Sequence, residues 1–347
     1  MAKTINIAVT GLNAIDSPGP GIAVIRGLRE AGSFDVRIIG LAYESLEPGI
    51  YMHDLIDKTY HIPYPTAGTD SLLSRLAYIH EKEQLQVIIP NFDAELFPFI
   101  KLAPRLQEMG IATFLPTEKQ FEERQKINLP DFGKQYNIKV PHSKPIYSVG
   151  EIQGLMHEFS YPLVVKGKYY DADIAHTPEE VHAFFTKISH KWGLPIVIQQ
   201  YIKGTEFNAT GLGDGKGNTI AAIPMRKQYI TDKGKAWGGI SIEEEEIIKL
   251  TKHFVGSTKW RGGFELELMK DFSGTYYLLE INPRMPAWIY LSVGVGQNIP
   301  EALVNLALGE KVEPYKEFAV GKMFIRYSYD MIVDVEEFHK ISTMGEL

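Results

Sequence analysis

Short apolar runs alternate with helix-period segments through the first 116 residues, and this limits the possible folds more than any other feature. "INIAVT" (5–10) reads as a strand ending at Gly11, "GIAVIRGLREAG" (21–32) has helical spacing and stops at Gly32, and "DVRIIGLA" (35–42) is the next strand. The pattern continues with a helix over 71–84, a strand over 87–90, a helix over 94–110 that its prolines kink or break, and a strand over 111–116. Alternating β and α units predict a parallel sheet with helices on both faces. Pro116 marks the boundary.

The middle is different. Residues 118–137 are charged and helical on either side of Pro130, and strands are expected over 138–143, 161–168 and 194–202. A helix over 177–192 opens with Thr177 as cap, Pro178 in the first turn and Glu180 three residues after the cap. Two hairpins follow, 206–213 with 219–227 across "DGKGN" and 262–270 with 275–283 across "DFSG". The fold class is α/β plus α+β.

Composition removes several function classes. The 347 residues carry a formal net charge of −7, so nucleic acid has no basic track to follow. With no cysteine, disulfides, thiol nucleophiles and thiolate metal sites are out, which agrees with a cytoplasmic location. The N-terminus lacks the apolar core of a secretory signal. No run reaches the ~18–20 apolar residues needed to span a bilayer. "GLNAIDSPGPGIAV" (11–24) has Val24 where a dinucleotide fingerprint wants Gly or Ala, and reads as a glycine turn entering a helix, or as a helix N-terminus facing an anionic group. "GLGDGKGN" (211–218) fails as a phosphate loop because Thr210 and Gly217 stand at the wrong places. "EEEE" (243–246) is the acidic first turn of a helix. His176 and His182 read as surface residues, and there is no nucleophile elbow.

The chemistry gathers at "TYYLLEINPRMP" (275–286). Side chains alternate along a strand, so Glu280, Asn282 and Arg284 share one face while Leu279 and Ile281 take the other. The partner strand of the hairpin supplies Glu265 and Glu267. Acids brought close together repel unless a cation lies between them, and an all-oxygen set suits magnesium. An ion-free hairpin with a Glu280–Arg284 bridge is the alternative. Lys166 ends the apolar strand "YPLVVK" and needs an anion, and Lys126 lies upstream. The stretch "VIQQYIKGTE" (197–206) turns from apolar strand to polar linker. Its backbone can face an adenine edge, and Glu206 a ribose hydroxyl. Arg226, Lys227, Lys233 and Lys235 form a basic segment, read as contacting an anionic substrate or as a solvated loop. Trp237 and Trp288 serve as pocket walls or as core.

Taken in order, Lys126, "VVK" ending at Lys166, "IQQYIKGTE", "FELE" and "LLEINPR" resemble the ATP-grasp superfamily, in the branch of biotin carboxylase and the carbamoyl phosphate synthetase large subunit. The resemblance spans roughly residues 90 to 300. It implies a Rossmann-like N-terminal domain (1–115), then an ATP-grasp domain of two α+β subdomains (116–200 and 201–330) and a tail (331–347). By this resemblance Lys126 and Lys166 contact ATP phosphates, and Gln199, Gln200, Tyr201 and Ile202 form the adenine hinge with Glu206 near the ribose. Glu267, Glu280 and Asn282 hold Mg2+, or Mn2+ in its place, and Arg284 steadies a phosphorylated intermediate. The family's glycine-rich lid is replaced by "GKYYDADIAHT" (167–177), where either Lys168 or a backbone N–H of Tyr169 or Tyr170 takes over phosphate contact, or the lid is stiffer or the activity weaker. Gln199 also stands where many members carry an acid.

The implied activity is that of an ADP-forming carboxylate–amine ligase working through an acyl phosphate, with Arg226 and Lys233 joining Arg284 in the catalytic set. The alternatives are a carboxyphosphate-forming enzyme and a non-catalytic ATP-binding sensor or scaffold. Expected partners are a small carboxylate and an amine, with no nucleic acid or membrane and with room for a homodimer.

Overall fold

A computed structural model describes residues 3–14, 18–155, 157–168, 171–231 and 234–347. The chain falls into two compact units. Unit 1 comprises Met1–Gln120, Asn208–Glu265 and Asn282–Leu347; unit 2 comprises Phe121–Phe207 and Leu266–Ile281.

Unit 1 begins with a four-stranded parallel sheet. Its strands are β1 (Thr4–Val9), β2 (Asp35–Ala42), β3 (Lys58–His61) and β4 (Val87–Ile89), in the order β3-β2-β1-β4. Helix Pro20–Arg29 connects β1 to β2, Thr69–Glu83 connects β3 to β4, and Asp93–Glu108 follows β4. The inward residues of β1 and β2, including Ile7, Val9 and Ile38, are fully buried. The glycines ahead of the first helix serve packing. A Cβ on Gly21 would lie 2.1 Å from the carbonyl oxygen of Thr10, so only glycine lets the helix begin against the end of β1.

Two expected strands differ. Residues 111–116 form only an isolated bridge, Ala112 with Val87, because the carbonyls of Thr113 and Leu115 accept instead from the guanidinium of Arg261, at 3.0 and 2.6 Å. Residues 138–142 do not form a strand either. Ile138 N–H closes the preceding helix on Gly133, and Pro141 has no N–H to give a ladder, so β5 starts later, at Ser143–Ile146.

Unit 2 contains an antiparallel sheet of β5, β6 (Leu163–Lys166), β7 (Ala172–Ala175) and β8 (Ile196–Gln200), in the order β5-β8-β6-β7. Strand β7 has no sequence signal beyond Ile174. Helix Pro178–Trp192 covers this sheet and is capped as read, with the Thr177 hydroxyl accepting from Glu180 N–H. Val181, Phe185 and Ile188 seat it on Val165, Ile196 and Ile198.

A six-stranded sheet has the order β13-β12-β9-β10-β11-β14. It is built from β9 (Gly204–Asp214), β10 (Thr219–Ile230), β11 (Ala236–Ser241), β12 (Arg261–Asp271), β13 (Tyr276–Asn282) and β14 (Met323–Ile325). Both expected hairpins are present. In the "DFSG" turn, Asp271 Oδ1 accepts from the N–H groups of Ser273 and Thr275. Helix Val335–Met344 follows β14, and after it residues 345–347 lie along the outer side of β3. Thr59 and Leu347 exchange hydrogen bonds of 2.9 and 3.0 Å, and His61 N–H donates to Gly345 at 2.8 Å.

A buried polar cluster joins the C-terminal ends of β1, β2 and β4. Glu95, fully buried, accepts from the Thr10 hydroxyl, the Tyr43 hydroxyl and the N–H groups of Asn91 (2.7 Å) and Phe92 (2.9 Å). Burial raises the Glu95 carboxyl above the usual range, and those hydrogen bonds work against it. Nearby, burial pushes Glu47 up to about 7 although Tyr43 N–H donates to it. A raised carboxyl pKa means that the folded chain binds protons the unfolded chain has lost, so folding stability declines as pH rises from about 4.5 through 7. Urea denaturation at pH 5 and pH 8 is expected to show a loss on the order of 2 kcal/mol. Glu47→Gln should remove much of that slope, and an unchanged slope in this variant would count against Glu47 as its source.

Candidate active site

The site residues read from the sequence fall into two groups, one in each unit. In unit 2, Lys126 lies in the turn between helices Glu118–Glu123 and Leu129–Tyr136, and its Nζ is 3.3 Å from Glu280 Oε2 on β13. Lys166 ends β6, where the apolar alternation of Leu163 and Val165 carries it out of the core. Burial pushes the Lys166 ammonium below the ordinary lysine range. Glu280 opposes that most strongly, Lys126 adds to it, and Glu267 and Glu206 oppose it further. The two lysines and three glutamates therefore form one electrostatic cluster. Glu267 and Glu280 come from β12 and β13, which are neighbours in one sheet, and both act on the charge of Lys166.

Lys168 follows β6 and is half-buried. Gln199 and Gln200 close β8, Gln199 buried and Gln200 exposed. Gln200 N–H donates to His142 O at 2.8 Å, so that donor is spent within the sheet. Tyr201 and Ile202 lie in the linker between β8 and β9, Ile202 buried, and Glu206 is half-buried on β9.

In unit 1 the hub is Glu265, whose interactions with three groups the sequence did not reveal. Its carboxylate is buried and accepts from Asn208 Nδ2 (2.8 Å), Trp288 Nε1 (2.6 Å) and Asn282 Nδ2 (3.1 Å). Arg284 lies beside the same carboxylate at 3.5 Å, and its Nε is 3.3 Å from Asp93. Trp288 is thus a buried donor to Glu265. The nearest sequence signal for Glu265 was its two-residue spacing from Glu267. Asp93, 191 positions from Arg284, had none.

The basic segment is more dispersed. Arg226 is exposed on β10 opposite Ile240, and Lys227 Nζ donates to Gly234 O at 3.3 Å. Lys233, like Tyr169 and Tyr170, lies outside the described residues.

Among the described residues no three His, Asp or Glu side chains close a metal cage on their own. Magnesium is usually held by one or two carboxylates and completes its shell with water and phosphate oxygens. The unit 2 cluster carries both signs of charge, lysines for phosphate and carboxylates for a cation. The lysine charge opposed by burial is the one an anion would restore. The donor set fits a metal–polyphosphate ligand.

Comparison with known proteins follows the same line. Residues 194–326 match the family model described as ATP-grasp in the biosynthetic pathway with Ter operon. The carbamoyl phosphate synthase large chain of Clostridium perfringens (strain SM101 / Type A) is 26% identical over 284 residues, covering 72% of this chain and 25% of the relative. The chain thus spans about a quarter of that relative's length. The biotin carboxylase domain of Hydrogenobacter thermophilus 2-oxoglutarate carboxylase, solved with MgADP, ADP and bicarbonate, superposes with a TM-score of 0.70 at 19% identity, over 92% of this chain and 73% of that one. Campylobacter jejuni biotin carboxylase, solved as a β-γ-ATP complex, gives 0.72 at 14% identity, over 93% and 74%. No helix among the described residues is long and apolar enough to cross a membrane. Residues 194–326 thus resemble the ATP-grasp superfamily, and the chain shares the fold and its likenesses with the branch of biotin carboxylase and the carbamoyl phosphate synthase large chain.

Proposed function

We propose that this chain is an ATP- and magnesium-dependent, ADP-forming ligase that joins a carboxylate to an amine through an acyl phosphate. The observation that carries this is the cluster of Lys126 and Lys166 with Glu206, Glu267 and Glu280. In this reading Lys126, Lys166 and Lys168 hold phosphates. Gln199, Gln200, Tyr201 and Ile202 hold adenine, and Glu206 the ribose. Glu267, Glu280 and Asn282 hold Mg2+ or Mn2+. Bound magnesium would neutralise charge on the polyphosphate.

Phosphoryl transfer needs alignment and charge neutralisation more than covalent help from protein. A substrate carboxylate oxygen attacks the γ-phosphorus and ADP leaves. The amine nitrogen then attacks the acyl carbon, phosphate departs, and the nitrogen loses a proton. Arg284 holds the acyl phosphate, and Arg226 and Lys233 steer the anionic substrate. Its pairing with Asp93 and Glu265 fixes Arg284 before any anion arrives, which limits the entropy lost on binding.

A second reading, with bicarbonate as the carboxylate and carboxyphosphate as the intermediate, is favoured by the bicarbonate bound in a protein of the same fold. Measuring ADP release with a panel of carboxylates and amines, bicarbonate included, separates the two. No ADP with any substrate, alongside normal ATP binding, would leave a sensor or scaffold. Lys166→Ala is expected to weaken ATP binding by about 1.5–3 kcal/mol, the range for a hydrogen bond to a charged group. Calorimetry showing an unchanged dissociation constant would remove Lys166 from the phosphate site.

A further inference from the structure

We infer that Glu265 is a positioning residue that fixes which atom Asn282 offers to the metal and where Arg284 points. The inference rests on the reading above, though Glu265 itself is assigned no ligand there. Asn282 is an amide whose acceptor oxygen and donor nitrogen lie on opposite arms. Its Nδ2 faces Glu265 Oε2 at 3.1 Å, and a carboxylate can only accept from it. The Oδ1 arm is therefore turned away from Glu265, which is the orientation an oxygen ligand needs. The same carboxylate lies 3.5 Å from Arg284, so one buried acid sets both groups. Glu265 is itself held rigid, because Asn208 and Trp288 both donate to its other oxygen at 2.8 and 2.6 Å. Its charge is compensated by Arg284 and by these three donors. Outer partners of this kind orient metal ligands and typically change affinity by about 10–100-fold.

Glu265→Gln tests this. Asn208 and Trp288 keep the new side chain's oxygen on their side, so its amide N–H groups face Asn282. Donor then meets donor, and Asn282 must rotate its oxygen inward. The double variant Glu265→Gln/Asn282→Asp reverses the polarity, because the introduced carboxylate accepts from the introduced amide and still presents an oxygen outward. The readout is Mn2+ binding in the presence of a non-hydrolysable ATP analogue, followed by the free-Mn2+ electron paramagnetic resonance signal, with melting temperature as the fold check. Expected is roughly 10–100-fold weaker Mn2+ binding in the single variant and recovery to within about threefold in the double variant. Wild-type affinity in the single variant overturns the inference while leaving the proposed function standing. Equal weakness in both variants also overturns it, because a purely structural role would not be rescued by exchanging donor and acceptor. If the wild-type chain binds no Mn2+ with the analogue, the proposed function falls and this inference with it.

Discussion

Glu280→Gln is expected to reduce magnesium-dependent ADP formation by at least about 100-fold while the fold survives. The substitution keeps the shape of the side chain and removes one charge. Glu280 is half-buried on β13, so no core volume changes. Its carboxylate is the 3.3 Å partner of Lys126 and the strongest influence supporting the charge on Lys166. Neutralising it leaves two neighbouring lysines with less compensation and takes a charged oxygen from the proposed metal set. The measurement is ADP release across a magnesium series, with circular dichroism and melting temperature recorded in parallel. Undiminished turnover in a folded variant would sink the metal assignment. Turnover restored by high magnesium would support it, because a weakened site can be refilled by mass action.

The second large effect is on stability. Glu95→Ala should cost about 3–5 kcal/mol, whereas Glu95→Gln should cost no more than about 1 kcal/mol. Alanine strands the Thr10 hydroxyl and the Phe92 N–H and leaves the Asn91 N–H only its second acceptor, the Thr10 hydroxyl oxygen at 2.8 Å; all three now donate to Glu95. It also takes the acceptor from Tyr43, whose own hydroxyl burial holds in the neutral form. Glutamine keeps an oxygen for the first three donors and needs only the Tyr43 hydroxyl to turn. Urea denaturation of both variants decides the matter. Similar losses for Ala and Gln would show that the carboxylate charge matters, and the hydrogen-bond count does not.

Much of this was legible because local patterns are strong where strands are regular. Strand β2 appears at 35–42 as read, and the cap at Thr177 and the turn at Asp271 form as their residues demand. Two of the misses arise because partners remote in sequence decide the outcome. Residues 111–116 look like a strand, but Arg261 takes their carbonyls from 146 and 148 positions away. At the site, alternation carried the expectation that Glu280, Asn282 and Arg284 share one face. It gave no means of seeing that Glu265 would spend its oxygens on Asn208, Asn282 and Trp288, because these donors come from segments the sequence does not tie together.

Strand β3 is the rim of its sheet, and an uncovered rim invites a strand from another molecule to add on. Leu347 already occupies the outward N–H and C=O of Thr59, and Gly345 the N–H of His61. They act as a built-in guard against intermolecular β-addition, a service to solubility that is separate from any nucleotide chemistry.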